Sequence, residues 1–306
     1  MISRRILRRL LIVCTISVLA FAGASWFVAG SLVAPANHAV GAPPSGYRIE
    51  TTTIPSDSGS SLAAWHVPCE DATATVILLH PIRCDRRAML GRAKLLHDNG
   101  YTTLLVDLQG HGESPGKHIT AGHRERHDVV AAVKFARTKN PDHRIGVIGW
   151  SLGGAAALLG SPLNIDALVL ESVYPTISEA VHNRVSMRLG PLSYVLAPAL
   201  LVQLGPRIGI SPSQLCPIDY IANTGCPVLV AGGDCDAHTT LLETQQLFQA
   251  ACEPKQLVIF EGAAHIDLLT YDHDKYHEIV EFLDTHLRTE ATEPSVSTTL
   301  RQIRPD

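Results

Sequence analysis

The order of apolar and polar positions divides this 306-residue chain into five stretches. Residues 1–9 are basic, with Arg4, Arg5, Arg8 and Arg9. Residues 10–34 are apolar and carry no charge, a run long enough to cross a bilayer. Residues 35–46 include Ala42-Pro43-Pro44-Ser45-Gly46 and read as a linker. A folded domain is expected over 47–288, followed by a polar, disordered tail over 289–306.

Inside the domain the apolar period changes once. Residues 47–53 and 61–67 alternate polar and apolar side chains around Ser56-Asp57-Ser58-Gly59, which predicts an antiparallel hairpin. From there the strands are continuous apolar runs, at 75–80, 102–107, 144–149, 167–170, 228–230 and 256–260. Helical patterns fall between and after them, at 86–97, 122–138, 154–159, 239–251 and 273–287. Such alternation predicts an α/β class, with a mostly parallel central sheet and helices on both faces. The stretch 175–225 has no strand pattern and holds an apolar run, 195–202, interrupted by Pro198. It reads as a short helical cap over the carboxyl ends of the strands, or as one further core helix. The run is too short for a second membrane span.

Charge and composition narrow the classes. Net charge is −4, so nothing points to nucleic acid. The arginines ahead of the apolar run place that end in the cytoplasm and the domain on the outer, periplasmic or extracellular, side. Cleavage near Ala34-Pro35-Ala36 would instead release a secreted domain, and the length of the run favours an uncleaved anchor. Seven cysteines lie scattered, without C-x-x-C units. The six beyond Cys14 are open to pairing in an oxidising compartment, or serve as small buried side chains. His123 and His127 are four apart on an expected helix, and read as a solvated helix start rather than a metal pair. Neither metal nor cofactor is called for.

The strand at 144–149 runs into Gly149-Trp150-Ser151-Leu152-Gly153, and a helix former follows. A serine on such a turn has the form of a nucleophile elbow. A serine hydroxyl needs a base, and a histidine base needs a carboxylate to orient it. Two later strand ends supply them: Gly233-Asp234-Cys235-Asp236 and Gly262-Ala263-Ala264-His265. Asp236 is the expected acid, with Asp234 as turn chemistry, and His265 is the expected base. The oxyanion donors expected are the backbone N–H groups of Leu152 and of Ile82, with Arg83 as second choice. Pro81 has no N–H to offer. Arg83, Arg86 and Arg87 form a basic cluster near the mouth, either solvated or suited to acidic head groups. Trp150 lines the pocket or the core.

These motifs together resemble the α/β-hydrolase family over about residues 47–287. His80-Pro81 stands where that family has His-Gly, and 107–114, Asp-Leu-Gln-Gly-His-Gly-Glu-Ser, is similar to its D-x-R-G-x-G-x-S turn. The departures are Pro81 for glycine and Gln109 for arginine. The resemblance implies a serine hydrolase with Ser151, Asp236 and His265 as its triad, acting on a small-molecule ester or lipid-like substrate. It extends to a lysophospholipase-like branch and to serine aminopeptidases. A peptidase, an acyltransferase or a non-catalytic binding protein on the same fold are the alternatives.

Overall fold

The computed structural model describes residues 4–288. The chain opens with a 30-residue helix, α1 (Arg4–Val33), and the two-residue strand β1 (Ala36–Asn37). The sheet strands are β2 (Glu50–Pro55), β3 (Ser61–Val67), β4 (Ala74–Leu79), β5 (Thr102–Val106), β7 (Arg144–Trp150), β8 (Ala167–Glu171), β9 (Val228–Gly233) and β10 (Lys255–Phe260). A short β6 (His111–Gly112) pairs with β1 apart from the sheet. The eight strands lie in the order β10-β9-β8-β7-β4-β5-β3-β2, and β3 alone runs against the others. Strands β4, β5 and β8 are buried along their whole length, whereas edge strand β2 alternates. That difference is the one the residue pattern predicts for strands covered on two faces and on one.

Helices α3 (Glu125–Lys139), α4 (Leu152–Leu159), α8 (Ile218–Ile221) and α9 (Leu241–Ala250) belong to one face. Their core centres on Ile77, Val129, Ala132, Val147 and Leu247. Helices α2 (Leu90–Asp98), α10 (Leu268–Tyr271) and α11 (His273–Leu287) cover the other, over Val76, Met89, Leu96, Phe260 and Ile279. Helix α3 begins three residues later than its pattern predicts. Ala121 and Gly122 take positive φ, and the Glu125 carboxylate accepts the N–H groups of Thr120 at 2.9 Å and Gly122 at 3.0 Å. Those bonds hold a turn where the helix would otherwise start.

Residues 172–227 carry α5 (Ile177–Leu189), α6 (Ser193–Leu201), α7 (Leu204–Ile208) and α8, with no strand. The stretch Ile177–Ile208 is apolar and long enough to cross a membrane, but a 3-10 turn at Gly190–Leu192 breaks it and α6 packs back on α5.

One segment makes contacts that its composition does not announce, and one expectation changes. The segment after α1 is bound to the domain: Ala36 N–H donates to Gly110 C=O at 2.7 Å, His38 Nε2 lies 2.8 Å from Asp85, and Val40 is buried. Proline and glycine make it non-helical, yet its backbone groups find partners. All seven cysteines are free, and each is exposed or half-buried rather than buried: Cys14 lies on the exposed helix α1, and the other six lie in loops between elements. The tail over 289–306 lies outside the described residues.

Candidate active site

Strand order reverses between β4 and β7. The chain leaves β4 for β5 on one side and β7 for β8 on the other, and such a switch opens a crevice at the carboxyl ends of the strands. The loops after β4 and β7 flank that crevice, and they carry Ile82 and Ser151. Asp236 and His265 follow β9 and β10 on the same edge.

Ser151 sits between β7 and α4 at φ 51° and ψ −108°, a left-handed conformation that costs a non-glycine residue energy. Its N–H donates to Glu171 C=O at 2.8 Å, and its C=O accepts from Ala155 N–H at 3.0 Å, so both flanks of the strained residue are held. The neighbouring glycines are steric requirements. A Cβ on Gly149 would collide with the Gly154 backbone, and one on Gly153 with the Leu79 carbonyl. Leu152 is the first residue of α4, so its N–H has no helical acceptor behind it. In the loop after β4, a turn closes from Cys84 N–H to Pro81 C=O at 3.3 Å with Arg83 at φ 63°. The Ile82 N–H is not used by that bond. His80 straps this loop to the next one. Its Nδ1–H donates to Pro81 C=O at 2.8 Å while Nε2 accepts from Leu108 N–H at 3.0 Å. Burial, with the His111 ring alongside, pushes His80 down to about 3, so it stays neutral and can fill both roles.

Asp236 and His265 meet. Asp236 Oδ2 lies 2.7 Å from His265 Nδ1, and Oδ1 accepts the N–H groups of His238 at 2.7 Å and Thr239 at 2.9 Å. Burial pushes the Asp236 carboxyl up. The bond and charge of His265 and the two backbone donors outweigh it and hold the pKa below the ordinary carboxylate value. Asp234 is exposed and accepts Gly262 N–H at 2.6 Å, which clamps the β9 loop to the β10 loop. The two aspartates are two residues apart and do different work. Asp236, His238 and His265 offer three ligand atoms within 4.8 Å of one another, but Asp236 Oδ2 is already engaged by His265.

The basic cluster expected at the mouth is largely spoken for. Arg86 is buried against Asp107 and Glu113, Arg87 chelates Asp85, and Arg83 donates to the carbonyls of Ser31 and Leu32 at the end of α1 and of Ala34 just after it. Gln109 donates to Glu125 at 2.6 Å and to His118 C=O at 2.8 Å, so it is structural. Trp150 belongs to the core, beneath the Arg92 guanidinium at 5.0 Å. His123 precedes α3 and His127 lies within it, so the two do not share a helical face.

Residues 70–215 match the family model described as serine aminopeptidase, S33. Esterase Pf2001 of Pyrococcus furiosus superposes with a TM-score of 0.69 at 22% identity, covering 84% of this chain and 99% of that one. The chain has the α/β-hydrolase fold. A thermophilic esterase of Thermogutta terrifontis shares the fold at a TM-score of 0.58 and 17% identity, over 78% of this chain and 100% of that one. The uncharacterized protein YqkD of Bacillus subtilis is 28% identical over 238 residues, 76% of this chain and 78% of its own length.

The chain holds a group of site-supporting residues that the motifs do not reveal. Arg92 Nε lies 3.1 Å from both Glu171 oxygens, the Tyr276 hydroxyl donates to Glu171, and Arg92 reaches Asp267 at 3.0 Å. Arg92 and Glu171 are fully buried. Glu171 is the residue whose carbonyl holds Ser151, and Asp267 caps α10 two residues after His265. The network therefore links the serine turn to the histidine loop. No signal in the sequence marks it, because its members are 79 and 105 residues apart. His238 was also missed; its ring lies 4.8 Å from that of His265. Helix α5 reaches this loop, since Asn183 Nδ2 donates to His238 C=O at 3.3 Å and to Glu243 at 2.7 Å.

Proposed function

We propose that this α/β-hydrolase is a serine esterase working through an acyl-enzyme. The observation that carries the reading is the Asp236–His265 bond of 2.7 Å, set on the same sheet edge as a serine held at positive φ. In this reading Ser151 Oγ attacks the ester carbonyl carbon while His265 Nε2 takes its proton. The tetrahedral oxyanion is received by the N–H groups of Leu152 and Ile82. His265 returns the proton to the departing alcohol as the C–O bond breaks, leaving acyl-Ser151. Water, deprotonated by His265, then releases the acid. Asp236 orients the imidazole and stabilises its charged form.

The reading includes the N-terminal segment as a single-pass anchor, with the arginines in the cytoplasm and the domain on the outer side. Helix α1 supports it, since 30 residues at about 1.5 Å each exceed a hydrocarbon core of about 30 Å. The apolar cap supports an ester with a lipid-like acyl group as substrate. A peptidase is the second reading, favoured by the serine aminopeptidase description of the matching family model.

A fluorophosphonate probe tests the mechanism: it should label the folded protein at Ser151 and leave Ser151→Ala unlabelled. Equal labelling of both would refute the nucleophile. A panel pairing p-nitrophenyl esters with aminoacyl p-nitroanilides then separates the two readings, with turnover expected on the esters.

A further inference from the structure

We propose that the cap rests in the lipid leaflet at the C-terminal end of α1, its α5–α6 face immersed beside the anchor. The proposal rests on the anchor reading. Helix α6 is apolar, yet only Ser193 and Ala197 are buried. Tyr194, Val195 and Val202 are 75%, 64% and 71% exposed, and Leu189 and Leu192 lie beside them, also exposed. A continuous apolar surface of this kind marks an interaction site.

Contacts with α1 identify what covers it. Helix α6 packs on α1, and Ser25 donates to Ala199 C=O at 3.5 Å. Gln203 donates to Ser25 and, at 2.8 Å, to Ala199 C=O. Arg207 donates to Trp26 C=O, and its guanidinium lies 3.8 Å over the Trp26 ring. Ser25 stands fifteen residues beyond Leu10, about 23 Å along the helix. A hydrocarbon core is about 30 Å thick. If α1 spans from its arginines outward, these contacts lie in the outermost part of that core, and α6 lies there with them. Tryptophan and arginine together at this depth are what a membrane interface favours.

Charge points the same way. Between Glu179 and Asp219 the chain has three charged residues, Arg184, Arg188 and Arg207, and no acid. Arg184 is turned inward, towards Tyr174 and Asp236, which leaves exposed Arg188, and half-buried Arg207 beside Trp26, to complement an anionic lipid surface. A second copy packed cap to cap would offer the same positive charge and no complement.

Photocrosslinking tests the proposal. The full chain would be reconstituted into phosphatidylcholine–phosphatidylglycerol vesicles containing a phospholipid with a diazirine in its acyl chain. Lipid adducts are expected in two regions, within 4–33 and within 187–202. Adducts in 4–33 alone would overturn the proposal and leave the anchor standing. Adducts in neither would overturn both. Chain-to-chain adducts at 187–202 in place of lipid would overturn it in favour of a dimer. A paired Val195→Asp, Val202→Asp variant should lose about tenfold of the cap adducts while keeping those in α1. The same variant should hydrolyse a water-soluble short-chain ester at the parent rate and a vesicle-held long-chain ester about tenfold more slowly. Equal loss on both substrates would indicate a folding defect and overturn the immersed-cap account.

Discussion

Helices α4 and α6 are near matches as sequence and opposites as structure. Helix α4 reads Leu-Gly-Gly-Ala-Ala-Ala-Leu-Leu and all eight residues are buried. Helix α6 reads Ser-Tyr-Val-Leu-Ala-Pro-Ala-Leu-Leu, and two of nine are. Apolar character does not separate them, but side-chain size does. Gly153 and Gly154 let α4 settle onto the Leu79 carbonyl and Val173, where any Cβ would clash. Helix α6 has Tyr194 and Val195 at its start and rests on α1 and α5 instead of the sheet. The sheet region is therefore close-packed and sensitive to small changes, whereas the cap takes its stability from few buried groups.

The largest expected effect lies at the start of α4. Ser151→Ala should lower ester turnover by at least about 10⁴-fold, while Ser193→Ala at the start of α6 should leave the rate within about twofold. Assays on a soluble ester would show it, and a comparable loss from the cap serine would break the contrast. Asp236→Asn should cost up to about 10⁴-fold in kcat. Asp234→Asn, which loosens only a loop clamp, should cost about tenfold or less. Equal losses in kcat would mean that the two aspartates share the role.

Stability should divide along the same line. Arg92→Met leaves the Glu171 charge buried without its cation, with the Tyr276 hydroxyl as remaining donor, which costs about 3–5 kcal/mol. Arg48→Ala removes a surface partner of Glu50 and should cost less than about 1 kcal/mol, both by chemical denaturation. Asp128, buried beneath the sheet-side turn, is pushed up to about 7 by burial, against bonds from Ser56 and the Gln109 N–H. Its folded pKa lies above the unfolded value of 3.8, so the folded state binds the extra proton between the two. That contribution is full below about pH 4 and is lost as pH rises towards 7. Thermal melts should show that slope in the parent and a flatter one in Asp128→Asn; an unchanged slope would remove Asp128 as its source. The smallest effects compare the helices directly. Ala156→Leu overpacks α4 and should cost about 1–3 kcal/mol, while Val195→Ala on α6 should stay within about 0.5 kcal/mol.

Much of the fold and part of the candidate site are local properties, and local properties are legible. Continuous apolar strands announce a sheet covered on both faces, and Gly149 and Gly153 bracket the serine turn at two positions that tolerate no side chain. Asp236 and His265 stand out because each ends a loop after an apolar strand. The linker was not legible, since its proline and glycine content hides the bond of Ala36 to Gly110 and the burial of Val40. The cysteines were misplaced because residue type says little about where a loop runs.

What the sequence by itself determined was the periodicity of its elements and the order of the loops along one sheet edge. The loop pattern favoured Asp236 over Asp234, and the tertiary structure sets Asp236 against His265 and Asp234 against the Gly262 N–H, two positions of backbone apart. It alone assembled Arg92, Glu171, Tyr276 and Asp267 beneath Ser151, because charges that pair across such separations leave no local trace. It also decided that α4 is buried and α6 is not. Burial depends on what lies opposite a helix face, and a helix does not encode its partner.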